Sequence, residues 1–580
     1  MDNASIARIL NETADLLEIS GENPFRTRSY RRAAETLEAL SHPVDTLVAA
    51  GDDKALLEIP GIGQGMVANF KELHASGKLA LHQELLKKYG SGILELLKVQ
   101  GLGPKTIALI WDTYHVSDAN GVEKLAREGK IRTLPRMGEK QEAKILKGIE
   151  DMRRVSGRFA LDVADHTAEQ IIAHLQKVPG VDLVTPAGSL RRGRETVGDL
   201  DILVTGKGCA NGQREKVIAR ILAFPSIAQV LAQGENKVSF KLETGMQVDV
   251  RILPPENFGA ALMYFTGSKS HNVLLRQRAL KKGYTLNEYA LTTVKGGKNI
   301  AAKTEEEVYK KLGLDWIPPE IRESLGEIEA AENHKLPELL QLKDIQGDVH
   351  MHTVATDGRC TIEEMADAAR TRGLKYIAIT DHSKNLAMAN GLDDKRALAH
   401  IKKIRAADAK SKDLRLFAGI ECDILADGSM DLSDNVLAEM DVVIASVHSH
   451  FNQEPEKMTS RLVRAVEHEY VSILGHPTGR LLLRREAYKF DLDTVLKAAK
   501  SAGTHMELNA APERLDLCDV HLRRAKELGL KFVINTDSHH TSHMEKIKYG
   551  VLQARRAWLT KKDVLNTLSA EKFLKALQNK

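Results

Sequence analysis

The chain has little cysteine, no long hydrophobic run and no strong excess of charge of either sign. Its four cysteines stand far apart among 580 residues and form no C-x-x-C pair, which excludes a disulfide framework and the usual zinc-finger spacing. A reducing cytoplasm is therefore expected. No apolar stretch approaches the roughly 20 residues that span a bilayer, and the opening MDNASIARILNETADLLEIS is typical of an amphipathic acidic helix and not of a signal peptide. We expect a soluble protein with no membrane partner.

The formal net charge of +4 is nearly balanced for a chain of this length. Such a chain is too long for one core and is expected to form about three or four domains. Its charge is uneven, because residues 269–303 carry eight Lys or Arg and a single Glu. A stretch of this kind suits a phosphate backbone, although a solvated helix face has the same composition.

A short pattern recurs in the N-terminal third. It reads apolar, x, Gly, apolar, Gly before a helical pattern in two copies and is weaker in a third: EIPGIGQGMVANF (58–70), KVQGLGPKTIALI (98–110) and TLPRMGEKQEAKI (133–145). Glycines permit a tight turn and let N–H groups of the following helix approach a phosphate. The pattern resembles the helix-hairpin-helix motif, which grips DNA backbones without reading sequence. The candidate DNA contacts are Gly61, Gly63, Gly101 and Gly103.

A pair of aspartates follows a Gly-Ser turn and two arginines in GSLRRGRETVGDLDILV (188–204). The LDILV segment has strand character, so Asp199 and Asp201 share one face while the apolar side chains between them face a core. Alternation in GMQVDVRIL (245–253) supplies a third carboxylate, Asp249. Carboxylates in this arrangement suit Mg²⁺ completed by substrate phosphates, and two such metals would serve an in-line displacement at phosphorus. The alternative is a solvated strand edge that carries acids.

Together with YFTGSKSHNVLLRQRA (264–279), these motifs make the chain resemble a bacterial family X DNA polymerase over nearly its whole length. The resemblance implies that Asp199 and Asp201 ligate two Mg²⁺ or Mn²⁺ ions and that Asp249 ligates the catalytic one. It implies nucleotide-binding roles for Gly188, Ser189, Arg192, Gly198, Tyr264, Gly267 and Asn272, and it places Arg276 near the template. The implied partners are deoxynucleoside triphosphates and gapped or primer-template DNA.

The chain departs from the family pattern at two positions. Lys269 replaces an aspartate common in eukaryotic relatives, and Asn69 stands where lyase members place their Schiff-base lysine. An amide cannot form that imine, and Lys71 lies on another side of the helix, so no lyase chemistry is assigned. The segment NPFRTRSYRRAAETL resembles the family's pocket for a downstream 5′ phosphate, with Arg26 and Tyr30 as candidate DNA contacts. A basic amphipathic helix face explains it equally well.

Beyond an acidic, helix-forming connector the pattern changes to short apolar strands that alternate with helices. Such βα units predict a parallel sheet or barrel with its chemical groups at the carboxyl ends of the strands. Metal-ligand types occupy those ends in DVHMHTVATDG, IAITDHS, FAGIECDI, VIASVHSH, SILGHPTG and FVINTDSHH: His350, His352, Asp357, His382, Glu421, His448, His476, Asp537 and His539.

The series resembles the PHP phosphoesterase domain, whose members hold up to three metals. Mixed imidazole and carboxylate ligands suit Zn²⁺ or Mn²⁺ better than Mg²⁺ alone. Periodicity does not choose between His448 and His450, and the family pattern favours His448. The remaining histidines of interest are read as supporting or surface residues: His450, His505, His540 and His543. Arg480 and Arg514 are candidate phosphate contacts or solvated loop arginines.

We expect a multidomain α/β protein with a helical N-terminal region, a nucleotidyltransferase palm with a mixed sheet, and a C-terminal distorted βα barrel. The expected divisions are a helical helix-hairpin-helix DNA-binding domain (1–90), a second such region (91–155), the palm (156–255), a nascent base-pair and template-binding subdomain (256–317), a linker (318–344) and the PHP domain (345–580).

The expected function is template-directed DNA synthesis at short gaps, as in base excision repair, joined to a metal-dependent 3′–5′ exonuclease in the PHP domain. The protein is expected to be a monomer in the bacterial cytoplasm, associated with the nucleoid through DNA. Two alternatives remain open. The PHP domain would in one case hydrolyse pyrophosphate or a small phosphate ester, and in the other the chain would be a DNA-binding scaffold with an inactive polymerase.

Overall fold

The computed structural model describes residues 1, 3–39, 44–59, 61–90, 92–99, 101–155, 157–210 and 212–578, the side chains of 4, 38, 39, 151 and 153–155 excepted. The chain forms two compact units, residues 1–156 and 157–580. Among the described helices, none combines the length and apolar character needed to cross a membrane.

The N-terminal unit is built of helices around one apolar core. In the first helix Ile6, Leu10 and Leu17 recur at helical spacing and are buried, which fixes the face turned inward. The helices are α1 (Asn3–Ile19), α2 (Pro24–Ala39), α3 (Val44–Ala49), α4 (Asp53–Glu58), α5 (Gln64–Ser76), α6 (Ala80–Tyr89), α7 (Ile93–Leu96), α8 (Pro104–Tyr114), α9 (Ala119–Arg127) and α10 (Glu139–Val155).

The recurring pattern of this unit forms three similar turns. Each is closed by one backbone hydrogen bond: Ile62 N–H to Ile59 O (3.1 Å), Leu102 N–H to Val99 O (3.0 Å) and Met137 N–H to Leu134 O (3.0 Å). Gly61 and Gly101 have φ of +84° and +100°, and Arg136 takes the equivalent position in the third turn with φ +63°. The weaker third copy therefore keeps the turn, although a side chain replaces the glycine that favours it.

The first part of the C-terminal unit is a mixed sheet with helices packed on it. Strand order is β2-β4-β7-β6-β5, and β4 runs parallel to β7 while the other neighbours are antiparallel. The short strands β1 and β3 pair separately. The elements are β1 (Phe159–Ala160), α11 (Leu161–Leu175), β2 (Leu183–Pro186), α12 (Gly188–Arg191), β3 (Thr196–Val197), β4 (Asp199–Thr205), α13 (Glu215–Leu222), β5 (Ile227–Gln233), β6 (Lys237–Leu242) and β7 (Gln247–Leu253).

A smaller helical and stranded part follows. It contains α14 (Phe258–Thr266), α15 (Lys269–Lys281), β8 (Tyr284–Leu286), β9 (Leu291–Thr293), β10 (Asn299–Ala301), α16 (Glu305–Lys311) and α17 (Glu327–Glu332). Strands β8, β9 and β10 form an antiparallel sheet. The segment 318–344 packs against this part, because Ile321, Ile328 and Leu339 are buried in one core with Leu275 and Tyr309.

The rest of the unit is a seven-stranded parallel sheet in the order β11 to β17 that nearly closes on itself. A bridge between Met351 and Ser538 joins its two ends. The barrel type expected from the βα pattern is thus confirmed. The elements are β11 (Gly347–Asp348), α18 (Ile362–Thr371), β12 (Tyr376–Ile379), α19 (Asp394–Lys410), β13 (Arg415–Asp423), α20 (Asp434–Leu437), β14 (Val442–Ser446), α21 (Pro455–Val466), β15 (Ile473–Leu474), α22 (Leu492–Ala502), β16 (His505–Asn509), α23 (Asp519–Glu527), β17 (Phe532–Asn535), α24 (Ile547–Arg556) and α25 (Ala570–Gln578).

A buried ion cluster joins the mixed sheet to the helical part that follows it. Arg191 donates to the two carboxylate oxygens of Glu305 at 2.7 and 2.8 Å, and Arg322 donates to the same oxygens at 2.7 and 3.1 Å. The Trp316 indole adds a third donor at 3.0 Å. Burial opposes ionisation of Glu305, but Arg322 and Arg191 outweigh it and hold the pKa of this carboxyl well below its ordinary value of 4.5. One buried carboxylate is therefore shared by two arginines, the buried Arg322 and the partly buried Arg191.

We expect Glu305→Gln to lower the free energy of unfolding at pH 7 by about 3–5 kcal/mol, because it leaves the buried Arg322 and the partly buried Arg191 without their shared counter-ion. A depressed folded pKa contributes stability above the unfolded pKa, and that contribution fades as pH falls toward the folded value. The difference between wild type and variant should therefore narrow below about pH 4.5. Urea denaturation at pH 7 and pH 4 measures it.

The control is Glu306→Gln, since Glu306 is the next residue on α16 and is exposed. It should change stability by less than about 0.5 kcal/mol at either pH. Equal losses in the two variants would mean that the buried cluster does not hold the junction.

Candidate active sites

Three carboxylates lie on one face of the mixed sheet. The parallel register of β4 and β7 sets Asp201 opposite Asp249 and Asp199 opposite Gln247. Leu200 and the other alternate residues of β4 are buried in the sheet's core, so the acids occupy the opposite face. Strand alternation and strand register thus bring together the candidate metal ligands predicted from the sequence.

The charges of these carboxylates are unevenly compensated. Burial and the neighbouring Asp199 raise the pKa of Asp201 to about 6. Burial opposes ionisation of Asp249 as well, but hydrogen bonds from Lys237 and Ser239 outweigh it and lower the pKa of that carboxyl. Lys237 Nζ lies 2.7 Å from Asp249 Oδ2. A site with clustered oxygen donors and repelling acids fits divalent cations of the Mg²⁺ type.

A cavity of about 780 Å³ adjoins the carboxylates. It is lined by ten of the residues predicted to serve nucleotide transfer or DNA binding: Gly188, Ser189, Arg192, Gly198, Asp199, Asp201, Tyr264, Gly267, Asn272 and Arg276. Sequence reasoning did not assign a role to other lining residues: Arg158, Arg194, Phe265, Thr266, Ser268, Lys269 and Glu323. Arg276, expected near the template, thus shares a wall with the nucleotide-binding candidates.

The cavity wall depends on close backbone approaches. Gly188 has φ +57°, and a Cβ there would lie 2.7 Å from Asp201 Oδ2. A Cβ at Gly267 would lie 3.3 Å from Arg192 Nη1. Arg192 donates from Nη1 to the Thr266 carbonyl and from Nε to Glu323 Oε1 at 3.1 Å. Its guanidinium, the candidate triphosphate ligand, is therefore already paired with a carboxylate.

The N-terminal unit presents its candidate DNA contacts in two different ways. Helices α5 and α8 begin at Gly63 and Gly103 without a side-chain cap, and open space surrounds both glycines. That geometry leaves room for a phosphate at each helix N-terminus. Gly61 and Gly101 form the turns just before those helices.

Residues of the expected 5′-phosphate pocket are divided between surface and core. The Arg26 side chain is exposed and lies 3.7 Å from Glu22. Tyr30 is 6% exposed, and its hydroxyl accepts from Asn69 Nδ2 at 3.0 Å. Lys71 is paired with Asp53 at 2.6 Å. A buried, bonded Tyr30 is placed to fix the helix pair, whereas Arg26 remains open to an anion.

The second cluster lies at the strand ends of the barrel. Ligand atoms within 4.8 Å of one another form three groups that share members: His352, Asp357, His382 and His539; His350, His352 and Asp537; and His382, Glu421 and His448. His476 Nε2 lies 2.8 Å from Glu421 Oε1, which brings the ninth predicted ligand into contact with the same cluster.

Glu421 is at the centre of this cluster. Its carboxylate oxygens lie 2.9 Å from His382 Nδ1, 3.3 Å from His448 Nε2 and 3.4 Å from His350 Nε2. Even so, Glu421 Oε2, His350 Nε2 and His382 Nδ1 are buried and make no hydrogen bond. Buried oxygen and nitrogen atoms that lie this close without a hydrogen bond fit ligation of shared cations, and the mixed donor set fits transition-metal ions.

The histidines of the cluster are in electrostatically different positions. Burial alone would lower the pKa of His382, but Glu421 and Asp357 outweigh it and raise this pKa to about 10. Burial and the nearby His539 and His382 lower the pKa of His352 to about 4. The carboxylates therefore need neighbouring positive charge, and the imidazoles provide it unequally. Divalent ions provide such charge at a metal centre.

A second layer of side chains orients the ligands, and sequence reasoning missed it. His350 Nδ1 lies 2.7 Å from Glu507 Oε1, and Glu507 Oε2 accepts from the His476 backbone N–H at 2.6 Å. His448 Nδ1 contacts Asp423. Contacts of this kind fix the tautomer and direction of a ligating imidazole. The signal in the sequence was available, since Asp423 follows Glu421 by one strand repeat.

The other histidines and arginines considered from the sequence lie outside the ligand groups. His450 is exposed, His505 contacts the Ala576 carbonyl at 3.3 Å, and His540 caps the turn that follows it. His543 accepts from the His539 backbone N–H at 3.4 Å. The two loop arginines differ: Arg480 binds Glu195, in the loop that follows α12, at 2.6 Å, whereas Arg514 Nε lies 3.5 Å from Asp537 Oδ2.

Four segments of the chain match known families. Residues 1–79 match the helix-hairpin-helix domain and residues 93–151 the SAM-like helix-hairpin-helix tandem. Residues 261–323 match the DNA polymerase beta thumb. Residues 348–511 match the PHP domain.

Similar proteins cover either the whole chain or one part of it. A DNA polymerase/3′-5′ exonuclease PolX of Bacillus subtilis (strain 168) is 40% identical over 582 residues, which cover 99% of this chain and all of the relative. DNA polymerase lambda of Rattus norvegicus is 28% identical over 55% of this chain and 56% of its own length. A probable phosphatase of Thermoanaerobacter sp. (strain X514) is 28% identical over 38% of this chain and 89% of its own length.

We expect Gly188→Ala to reduce nucleotide addition by at least about tenfold, because a Cβ that close to Asp201 displaces a candidate metal ligand. The positive φ also makes the substitution unfavourable by roughly 1 kcal/mol. Primer extension and thermal denaturation measure the two effects.

Gly245→Ala, in the turn between β6 and β7, provides a matched control. Gly245 has φ +86°, and its Cβ would meet only Lys241 Cε at 3.9 Å. This variant should lose similar stability and keep its rate of nucleotide addition. Equal rates in the two variants would show that the contact between Gly188 and Asp201 is unimportant.

Proposed function

The chain belongs to the bacterial family X DNA polymerases that carry a C-terminal PHP domain, and from that premise we propose that it fills short gaps during DNA repair. It is a DNA polymerase and 3′–5′ exonuclease that binds DNA and deoxynucleoside triphosphates, and it depends on divalent metal ions. The observation that carries the polymerase assignment is the register that sets Asp201 opposite Asp249 beside the cavity.

In the mixed sheet, Asp199, Asp201 and Asp249 hold Mg²⁺ or Mn²⁺. Ions bound there lower the pKa of a primer hydroxyl and neutralise charge on the leaving pyrophosphate. We assign Asp249 to the primer side from the family resemblance, and Lys237 Nζ, 2.7 Å from Asp249 Oδ2, keeps this carboxylate ionised for metal ligation. Gly188 and Ser189 offer backbone N–H groups to the triphosphate.

The remaining cavity residues position the nucleotide. Arg192 offers a planar guanidinium to phosphate once Glu323 releases it. Tyr264 and Gly267 line the sugar side, and Asn272 is fixed by donating from Nδ2 to the Tyr264 carbonyl at 2.7 Å. Arg276 completes the same wall toward the template.

In the PHP domain, the nine ligands at the strand ends hold up to three ions, for which we propose Zn²⁺ or Mn²⁺. Ions bound there activate water and neutralise charge at a phosphodiester. The chain itself orients the metal ligands, because Glu507 and Asp423 fix the imidazoles of His350 and His448. Arg514, beside Asp537, is placed to bind the phosphate of a 3′-terminal nucleotide.

The N-terminal unit holds DNA through the helix N-termini at Gly63 and Gly103 and through Arg26. These contacts bind the phosphate backbone of DNA and do not distinguish one base from another. We propose the domain division given above, a monomeric enzyme, and a cytoplasmic location associated with the nucleoid through DNA. Family matches at residues 1–79, 93–151, 261–323 and 348–511 support the division.

A phosphatase activity of the PHP domain is the second candidate, favoured by the similarity to a probable phosphatase over 231 residues. Phosphate release from p-nitrophenyl phosphate and from pyrophosphate, compared with nucleotide release from single-stranded DNA, distinguishes it from an exonuclease. The three carboxylates and their cavity argue against an inactive scaffold.

We expect Asp249→Ala to reduce primer extension on gapped DNA by at least about a hundredfold, since it removes a metal ligand and not a supporting residue. Primer degradation and DNA binding should remain within about twofold of wild type, because Asp249 is in the polymerase site. Glu243→Ala, an exposed acid in the preceding turn, should keep both activities. Substantial extension by the Asp249 variant would refute the assignment of the site.

We expect His350→Ala to eliminate 3′–5′ degradation and to spare primer extension, because His350 lies within the buried ligand groups of the PHP domain. The control is His450→Ala, which removes an exposed imidazole two residues beyond His448. Both rates are measured at nucleotide resolution on one gapped substrate, with Mn²⁺ present and with EDTA. Degradation that persists in the His350 variant would place the exonuclease elsewhere.

A further inference from the structure

The PHP domain forms part of the support for the wall of the nucleotide cavity. The loop 192–195, which follows α12, contacts this domain through successive residues. Gln553 Nε2 donates to the Gly193 carbonyl at 2.7 Å, and Arg480 binds Glu195 at 2.6 Å. A Cβ at Gly193, which has φ +64°, would lie 3.2 Å from Leu552 Cβ. The loop is therefore packed closely against the barrel, with little room for a side chain at Gly193.

Arg556, the last residue of α24, makes the contact that reaches the cavity. Its side chain is 1% exposed. Nη1 donates to the Arg192 carbonyl and to Glu323 Oε1, both at 2.9 Å, and Nη2 donates to Asp519 Oδ2 at 2.6 Å. One buried guanidinium of the PHP domain thus holds the backbone of Arg192 and also the carboxylate that is paired with the Arg192 side chain.

Glu323 is shared between two arginines from different domains. Its Oε1 accepts from Arg192 Nε at 3.1 Å and from Arg556 Nη1 at 2.9 Å. Arg194 Nη1 lies 4.0 Å from the same oxygen. Arg192, Arg194 and Glu323 all line the cavity, whereas Arg556 lies behind them. A phosphate that binds Arg192 through Nε takes the place of this carboxylate.

Replacement of Glu323 by a phosphate at Arg192 would be unfavourable without a second cation beside Glu323. A carboxylate released beside a triphosphate would be repelled by it, and an unpaired, partly buried charge is costly. Arg556 provides the partner that keeps Glu323 neutralised after Arg192 has turned to the nucleotide. Its contact with the Arg192 carbonyl meanwhile holds the backbone from which that side chain reaches the phosphate.

We propose that Arg556 of the PHP domain is a positioning residue for nucleotide addition, which retains Glu323 when an incoming triphosphate takes Arg192. The inference rests on the proposed polymerase function and makes the PHP domain a structural part of the polymerase nucleotide site, independently of its own metals. The energetic effect falls on nucleotide binding, so the KM for the nucleotide should change more than kcat.

The test measures steady-state nucleotide addition on a one-nucleotide gap with wild type, Arg556→Met, Glu323→Gln and the double variant. We expect Arg556→Met to raise the KM for the deoxynucleoside triphosphate at least tenfold with kcat changed less than threefold. Glu323→Gln should lower KM, because the nucleotide no longer displaces a carboxylate. The double variant should return to within about threefold of the wild-type KM, since no unpaired carboxylate remains.

Two controls separate this effect from general damage. Arg555→Met removes the neighbouring arginine of α24, which binds Glu320 at 2.7 Å and the Leu340 carbonyl at 3.0 Å, and it should leave KM unchanged. Degradation of single-stranded DNA by each variant reports whether the PHP domain remains folded, and it should stay at the wild-type rate.

A KM within twofold of wild type in Arg556→Met overturns the inference, and so does a raised KM that Glu323→Gln does not relieve. If Arg556→Met does not fold, the single variant Glu323→Gln decides, because a KM raised more than threefold would mean that the carboxylate assists binding. Wild-type protein without nucleotide addition would instead refute the proposed function.

Discussion

Both catalytic parts of this chain bring carboxylates together, and each part has to balance their negative charge. In the mixed sheet, the strand register brings Asp199, Asp201 and Asp249 together. Lys237 is paired with Asp249 alone of these three carboxylates. In the barrel, Glu421 is contacted by imidazoles on several sides. The two donor sets suit different ions, because oxygen donors alone favour hard cations while imidazoles favour transition metals.

The same constraint links the two catalytic parts. Loop 192–195 carries Arg192, the proposed triphosphate ligand, and its backbone is held by Arg556 and Gln553 of the PHP domain. Buried arginines cannot be left without counter-ions, so Glu323 and Asp519 accompany Arg556. Removal of the barrel would therefore expose and unpair charges at the polymerase cavity, although the barrel's own chemistry lies elsewhere.

Much of both sites could be predicted from the sequence, because the relevant residues follow local periodicity. Alternation of side chains identified Asp199, Asp201 and Asp249, and the carboxyl ends of successive strands identified the barrel ligands. The helix-hairpin-helix turns were visible from their glycines, and the third copy was weak because Arg136 occupies the position with positive φ. A local pattern thus predicts a site well when neighbouring residues in the chain build it.

Contacts between distant residues could not be predicted in this way. Glu323 is 131 residues from Arg192, and Arg556 is a further 233 residues along the chain. Neither belongs to a pattern, and each is an ordinary charged residue in its local sequence. Tyr30 is a further case: the resemblance of its segment suggested a DNA contact, and its local sequence did not indicate that the side chain is 6% exposed and packs in the helical core.

The adjacent arginines of α12 show how such partners assign function. Arg191 and Arg192 are equivalent as a motif, and either side chain could bind a phosphate. Arg191 is paired with Glu305, a carboxylate that is 4% exposed and that the buried Arg322 also binds. Arg192 is paired with Glu323, which is 17% exposed and borders the cavity. Breaking the Arg191–Glu305 pair would leave buried charges without a partner. Breaking the Arg192–Glu323 pair would leave Glu323 paired with Arg556 and in contact with solvent. The difference in burial of their partners therefore makes Arg191 a structural residue and leaves Arg192 available to the substrate.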